Sequence, residues 1–278
     1  MSNLKLMNER RSRLVAFMSL ISSIMALVVA ILSLIDQTYY EDVVSVGTVT
    51  EFGMHGAIGQ DIITIPFTLV LISLSVAYLL KPNVKLFMFM IGLTGYLFYG
   101  YGLFIIEAYY TSFYLIYLFV FGLSIYSLIV GFTSFNMKVV ESNSYLPKTV
   151  RVATATFLIM IIVVLGPAWI GMVLEGVTNH VPPRTYSVLI NDLCIVFPAF
   201  AITAAYLLKN KGFGNILGGI MLVKTFTVCL SWGFAEWFVV LYDKPVAYNM
   251  AAIASILTII SSLLIVIFMK TVNFNYKD

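Results

Sequence analysis

The chain has 278 residues, of which 61% are hydrophobic and 10% charged, and its formal net charge is +3. Soluble domains carry about 25% charged residues, so this composition excludes an ordinary soluble globular protein. With no long basic or Arg-aromatic tract it also excludes a nucleic-acid binder. A mean hydropathy of +0.99 with apolar stretches from end to end leaves no room for an extramembrane domain, and the expectation is an all-α integral membrane protein.

The first apolar stretch, Leu14 to Ile35, follows the basic residues Lys5, Arg10, Arg11 and Arg13. It is too long for the apolar core of a signal peptide and no small-x-small site follows it, so it reads as a span. Further spans are predicted at about 57–80, 84–106, 113–135, 150–174, 185–208, 213–241 and 248–269, eight in all. Thirteen of the sixteen basic residues fall in the termini and in alternate connections. Lys and Arg near span ends stay on the cytoplasmic side, so both termini are expected there, in a plasma or bacterial inner membrane. The basic rim implies contact with anionic lipid headgroups.

One internal repeat stands out. Ala77-Tyr78-Leu79-Leu80-Lys81 recurs as Ala205-Tyr206-Leu207-Leu208-Lys209. Upstream of the first copy lie Gln60-Asp61 and Pro66, and upstream of the second lie Asn191-Asp192 and Pro198, with a spacing about three residues shorter. Arg13-Leu-Val-Ala before the first span echoes Arg151-Val-Ala before the fifth. The expectation is a duplicated unit: residues 1–135 as one four-helix repeat, 136–147 as a cytoplasmic linker, and 148–278 as a second repeat. Four spans per unit makes the two repeats parallel.

Ionisable residues inside a membrane are costly, and they tend to be paired or functional. Four qualify: Asp61, Asp192, Lys224 and Glu236. A rise of 1.5 Å per residue sets Asp192 ~25 Å above Lys209 and Lys224 ~20 Å above Lys211, heights close enough for an Asp192–Lys224 ion pair or hydrogen bond. That pair reads either as a brace between two helices or as a switch in binding or proton transfer. Asp61 has no lysine in the neighbouring span, so it reads as a helix cap or as the partner of a tyrosine, water, cation or proton. Tyr96 and Tyr99 lie deep in the third span, and their hydroxyls are expected to reach Asp61. Tyr109, Tyr110 and Tyr114 read as an interfacial belt. Trp232 and Trp237 bracket Glu236 and form either a belt or an aromatic wall around an acidic vestibule. Pro66, Pro167 and Pro198 fall inside spans and are hinge candidates. Gly214 and Gly218 have small-xxx-small spacing.

No cofactor or metal is expected. Cys194 and Cys229 lie in apolar runs without a CxxC and read as packing residues. His55 and His180 fall in outer connections, outside the spans a haem would need, and read as solvated loop residues. Lys224 lacks the preceding aspartate of a microbial rhodopsin, since Ile220 stands there. The order of Asp61 and Pro66, the Ala-Tyr-Leu-Leu turn, and Asp192 and Pro198 resembles uncharacterised multispanning bacterial membrane proteins over the second, third, sixth and seventh spans. That resemblance implies a membrane-embedded helical fold and carries over no activity. The functional expectation is binding, and transport, of a small solute or lipid-like molecule along a path lined by Asp61, Asp192, Lys224, Glu236, Tyr96 and Tyr99. A membrane-embedded interaction or immunity subunit, or an intramembrane lipid enzyme, is the alternative, and a homo-oligomer or membrane partner is left open.

Overall fold

A backbone amide facing lipid has no water to bond, so each apolar stretch must close its hydrogen bonds within itself and becomes a helix. The computed structural model describes residues 6–274; Lys5 and Lys277 lie outside them. Eight helices in it are long and apolar enough to cross a membrane. In chain order the helices are α1 (Glu9–Ile35), α2 (Thr38–Ser45), α3 (Glu51–Leu80), α4 (Val84–Ile106), α5 (Tyr114–Phe132), α6 (Met137–Asn143) and α7 (Lys148–Asn179). The sixth span is composite: α8 (Tyr186–Asn191), one wide π turn (Asp192–Val196) and α9 (Phe197–Leu208). Then follow α10 (Gly212–Phe238), which ends in a 3₁₀ turn (Val239–Tyr242), and α11 (Tyr248–Thr271).

Side-chain caps set the starts of the first three spans. Asn8 accepts from the Arg11 amide at 3.1 Å, Thr50 from the Gly53 amide at 3.1 Å, and Asn83 from the Lys85 amide at 2.9 Å. One boundary differs from the hydropathy reading as a result. The second span begins at Glu51, so Asp61 stands roughly three turns inside α3 and caps nothing. His55 likewise lies within α3, where it is buried and stacks on Tyr242 at 4.2 Å between ring centroids.

Residues 9–132 form one group of spans, with α1 packed on α3 and α5, and α4 on α5 and α3. In residues 148–271 α7 packs on α9, and α10 on α9 and α11, while α7 and α11 barely meet. The seam between the groups is built by α10 against α4 and α3, with a smaller contact of α8 on α4. Accordingly α4 and α10 are the central helices: 72% of their most apolar stretch is buried in protein, against 44% or less in every other span. Their polar side chains therefore face protein rather than lipid.

At the end of the bundle nearest the termini, basic residues meet helix carbonyls that have no partner within their own helix. Arg13 Nη1 donates to the Leu79 carbonyl at 3.4 Å, and Arg151 Nη1 to the Leu207 carbonyl at 3.4 Å. Arg11 Nη1 reaches the Thr133 carbonyl at 3.1 Å, and Lys85 Nζ the Met269 carbonyl at 2.7 Å. The segment 136–147 is also structured. It contains α6 and a two-residue strand, β1 (Ser144–Tyr145), paired antiparallel with β2 (Asn273–Phe274). Glu141 holds it to the start of α10 by accepting from the Phe213 amide at 3.2 Å.

Gly92 and Gly95 let α4 approach α10 closely. A Cβ on Gly92 would stand 2.6 Å from Val223 Cβ, and one on Gly95 would stand 3.3 Å from Lys224 Cγ. Gly214 and Gly218 both face the end of α9, the first against Tyr206 and Leu207 and the second against Leu207, and Gly218 also meets Phe268 of α11.

Candidate functional site

Between α3 and α4 on one side and α7 to α11 on the other lies a cavity of about 400 Å³. That is the size of a small-molecule site, with room for roughly a dozen waters at ~30 Å³ each. It occupies the half of the bundle away from the termini, from the middle of α10 to the start of α8 and α11. Most of its wall is aliphatic and aromatic, including Ile161, Leu165, Phe197, Phe200 and Val228. Five of the six residues singled out for a path line it: Asp192, Lys224, Glu236, Tyr96 and Tyr99.

Lys224 is the buried cation of the cavity. It is 8% exposed. Its ammonium rests 4.5 Å from the centre of the Tyr99 ring and 5.6 Å from that of Phe200, contacts that attract a cation but accept no conventional hydrogen bond. Among the described residues its Nζ has neither a hydrogen-bond acceptor nor a carboxylate within 4.0 Å, so the expected Asp192–Lys224 pair makes no direct contact, and the two charges interact only at longer range. Asp192, also 8% exposed, instead accepts from Trp169 Nε1 at 2.9 Å. Equal height along two helices is a necessary condition for a pair and not a sufficient one. Asp192 opens the π turn, where a wider winding changes the direction of the side chain.

The other two carboxylates of the cavity are likewise provided with donors. Glu107, just past the end of α4, accepts from Ser187 Oγ at 2.6 Å, and Tyr186 Oη bonds the Ile106 carbonyl beside it at 2.8 Å. This joins α4 to α8 at the mouth. Burial pushes the Glu107 carboxyl above its ordinary value, and the Ser187 hydrogen bonds pull it partly back. Glu236 accepts from Trp232 Nε1 at 3.0 Å, one turn away. Trp232 lines the cavity, but Trp237 does not: it points toward α11 and bonds Ser255 Oγ at 3.3 Å, so only one of the two tryptophans walls the vestibule. Arg184 stands exposed at the mouth.

Asp61 is not part of the cavity. It is 1% exposed and accepts from Tyr40 Oη on α2 at 2.6 Å. A tyrosine partner was expected, but the donor is Tyr40 rather than Tyr96 or Tyr99; Tyr96 Oη shares a 2.8 Å hydrogen bond with Thr64 instead. Burial and the Asp61 charge push the Tyr40 hydroxyl well above its ordinary value. Tyr109 leaves the expected belt as well, being buried edge-on to Tyr40 at 6.1 Å, while Tyr110 is exposed and stacks on Tyr114.

The prolines behave differently from one another. α3 and α7 run uninterrupted through Pro66 and Pro167, whereas Pro198 follows the π turn directly, in the first turn of α9. A proline removes an amide and crowds the preceding turn, and the π turn absorbs that. His180 ends α7 in a left-handed conformation with φ 55°. Among the described residues no group of three or more His, Cys, Asp or Glu is arranged to hold a metal. Cys229 is buried on the cavity wall, but Cys194 is exposed rather than packed in the core.

Trp169, Tyr40 and Glu107 are partners that sequence reasoning missed. A spacing signal was available for the first two, since each donor precedes its aspartate by a similar interval: 23 residues from Trp169 to Asp192 and 21 from Tyr40 to Asp61. No protein-family model matches the chain, and neither a curated protein nor a solved structure matches it.

Proposed function

We propose that this multi-pass membrane protein binds a small solute or lipid-like molecule in the cavity and moves it across the bilayer. The observation that carries this reading is Lys224, a buried cation that faces the cavity with no hydrogen-bond acceptor of its own. Keeping an ammonium in an apolar bundle is costly, and a bound ligand that supplies acceptors offsets that cost. The path runs through Asp192, Lys224, Glu236, Tyr96 and Tyr99, without Asp61. Movement calls for a part that bends, and the π turn with Pro198 beside Asp192 is the best candidate.

We further propose that residues 1–135 and 148–278 are parallel repeats with both termini cytoplasmic. Three correspondences support the duplication. Arg13 and Arg151 cap Leu79 and Leu207, which occupy the same position in the two Ala-Tyr-Leu-Leu-Lys copies. Asp61 and Asp192 each accept from an aromatic donor upstream. The contacts of α3 with α10 and of α4 with α8 pair the second span of each unit with the third of the other. The basic end, with its arginines on helix carbonyls, supports a cytoplasmic assignment for that face.

The test is thermal unfolding of the purified protein with pooled metabolites and lipids, for wild type, Lys224→Met and Cys229→Trp, the last filling the cavity. A pool at 100-fold its Kd should stabilise wild type by about 2.7 kcal/mol, and both variants should lose that shift. Uptake of the responding compound into proteoliposomes then tests movement. A shift that survives in Cys229→Trp would place the ligand elsewhere and end this reading.

A further inference from the structure

We infer that the ligand is an amphiphilic anion, a single carboxylate or phosphate head on an apolar body, with the head seated on Lys224. This inference rests on the cavity being a binding site and adds the chemistry of what it binds.

Hydrogen-bonding capacity in the cavity is unevenly met. Three carboxylates line the cavity, and each already holds a donor at 3.0 Å or less: Asp192 from Trp169, Glu107 from Ser187 and Glu236 from Trp232. An ammonium has three N–H donors and no acceptor, and Lys224 spends none of them on a protein acceptor. It is held from the side by the Tyr99 and Phe200 rings at 4.5 and 5.6 Å. The stem is fixed as well, because Gly95 leaves just the room that Lys224 Cγ occupies. Arg184, exposed at the mouth, has no hydrogen bond or ion pair among the described residues. Of the charged groups on the cavity wall, the two without any hydrogen-bond partner among the described residues are therefore the cations, Lys224 inside and Arg184 at the mouth. A ligand that fits them presents acceptors, and an anion does so most strongly because charge-assisted hydrogen bonds are about twice as strong as neutral ones. The aliphatic and aromatic remainder of the wall selects an apolar body. A cationic ligand could use the lone pairs that each carboxylate keeps beyond its one donor, but it would face Lys224 and leave the ammonium's own donors unmet.

The head chemistry fits both a free acid from water and an anionic lipid from the bilayer, so the test carries an arm for each. Trp169 and Trp232 are two of the chain's three tryptophans and line the cavity, so a brominated chain bound there quenches their fluorescence. The protein in phosphatidylcholine nanodiscs is titrated with 11-bromoundecanoate, 11-bromoundecanol and 11-bromoundecyl-trimethylammonium. Parallel nanodiscs contain phosphatidic acid with brominated chains. Variants are Lys224→Met, Lys224→Arg as a charge-keeping control for folding, and Asp192→Asn. The carboxylate should half-saturate at a concentration at least ten-fold below the alcohol and the ammonium. Lys224→Met should lose that advantage, Lys224→Arg should keep most of it, and Asp192→Asn, which removes a neighbouring negative charge, should bind the carboxylate at least as tightly. Saturable quenching by the free carboxylate assigns a soluble acid, and by phosphatidic acid alone a lipid; both support the anion. Equal binding of all three head groups, or a Lys224→Met variant that still prefers the carboxylate, overturns the anion while leaving the cavity as a site. Absence of saturable quenching by any probe, the alcohol included, removes the binding site itself.

Discussion

Asp61 and Asp192, the two aspartates that the proposed duplication would pair, have opposite surroundings. Asp61 lies under Tyr40 with 1% exposure, and α1 closes firmly on both α3 and α5 around it. Asp192 lies in a bundle whose first and last spans barely meet, beside a cavity and a lysine that has no counterpart in the first group. An aspartate that accepts from an aromatic donor is thus sealed in one place and stands in a cavity wall in the other. What differs is the surrounding element. A short helix after the first span brings a tyrosine down onto Asp61, and no such helix follows the fifth span: α7 continues instead to Asn179 and supplies Trp169 from within its own length.

That contrast can be broken most severely from the sealed side. Tyr40→Phe leaves a fully buried carboxylate without its donor, which should cost about 1–3 kcal/mol of stability; chemical denaturation in detergent measures it, and ligand-induced shifts should be unchanged. Trp169→Phe removes the equivalent bond from Asp192. Water in the cavity can replace that donor, so the loss should be smaller, about 1 kcal/mol, and it should come with altered ligand affinity. If the two losses were equal, the two carboxylates would be equally sealed and the comparison would fail.

Gly95→Ala should act on the site rather than on stability. The new methyl presses on Lys224 Cγ at 3.3 Å, a contact that a shift of the stem by a few tenths of an ångström relieves, so the expected result is a several-fold loss of binding by titration with a melting midpoint near that of wild type. The smallest effect concerns pH. The folded chain holds the Glu107 proton more tightly than the unfolded chain, because burial raises that carboxyl above its ordinary 4.5. Stability from this group is therefore fully present in acid, declines as pH rises from 4.5 through the raised value, and is level beyond it. Glu107→Gln should flatten that decline, which melting curves across pH 4 to 8 would reveal.

Hydropathy located the eight spans because lipid forces every backbone bond inside its own segment, a demand that composition alone expresses. The ends of α3 and α7 were harder, since both extend past the apolar run into polar residues that pack on other helices or cap them. His55 shows the consequence: its position within α3 depends on the Thr50 cap, and its burial depends on Tyr242, which is distant in sequence. Helical rise ranked Asp192 and Lys224 at similar depth, and both reach one cavity. Azimuth was not legible, because the π turn at Asp192 alters the winding and Trp169 competes for the carboxylate. Tyr40 escaped notice because eight residues of mixed polarity, Thr38–Ser45, carry no span signal. The correspondence of Leu79 and Leu207 as carbonyl partners of Arg13 and Arg151 was legible as repeated letters, but what those letters do becomes evident only from the packed helix ends.

The central claim is that Lys224 is held in the bundle for a ligand and not for the fold. The direct measurement is the unfolding midpoint of wild type, Lys224→Met and Asp61→Asn, each with and without saturating 11-bromoundecanoate. Removing a buried cation that no carboxylate touches should leave Lys224→Met as stable as wild type or more stable by about 1 kcal/mol, with the ligand shift abolished. Asp61→Asn should melt lower and keep its shift. A Lys224→Met variant that melts well below wild type, or that retains the full shift, would contradict the account.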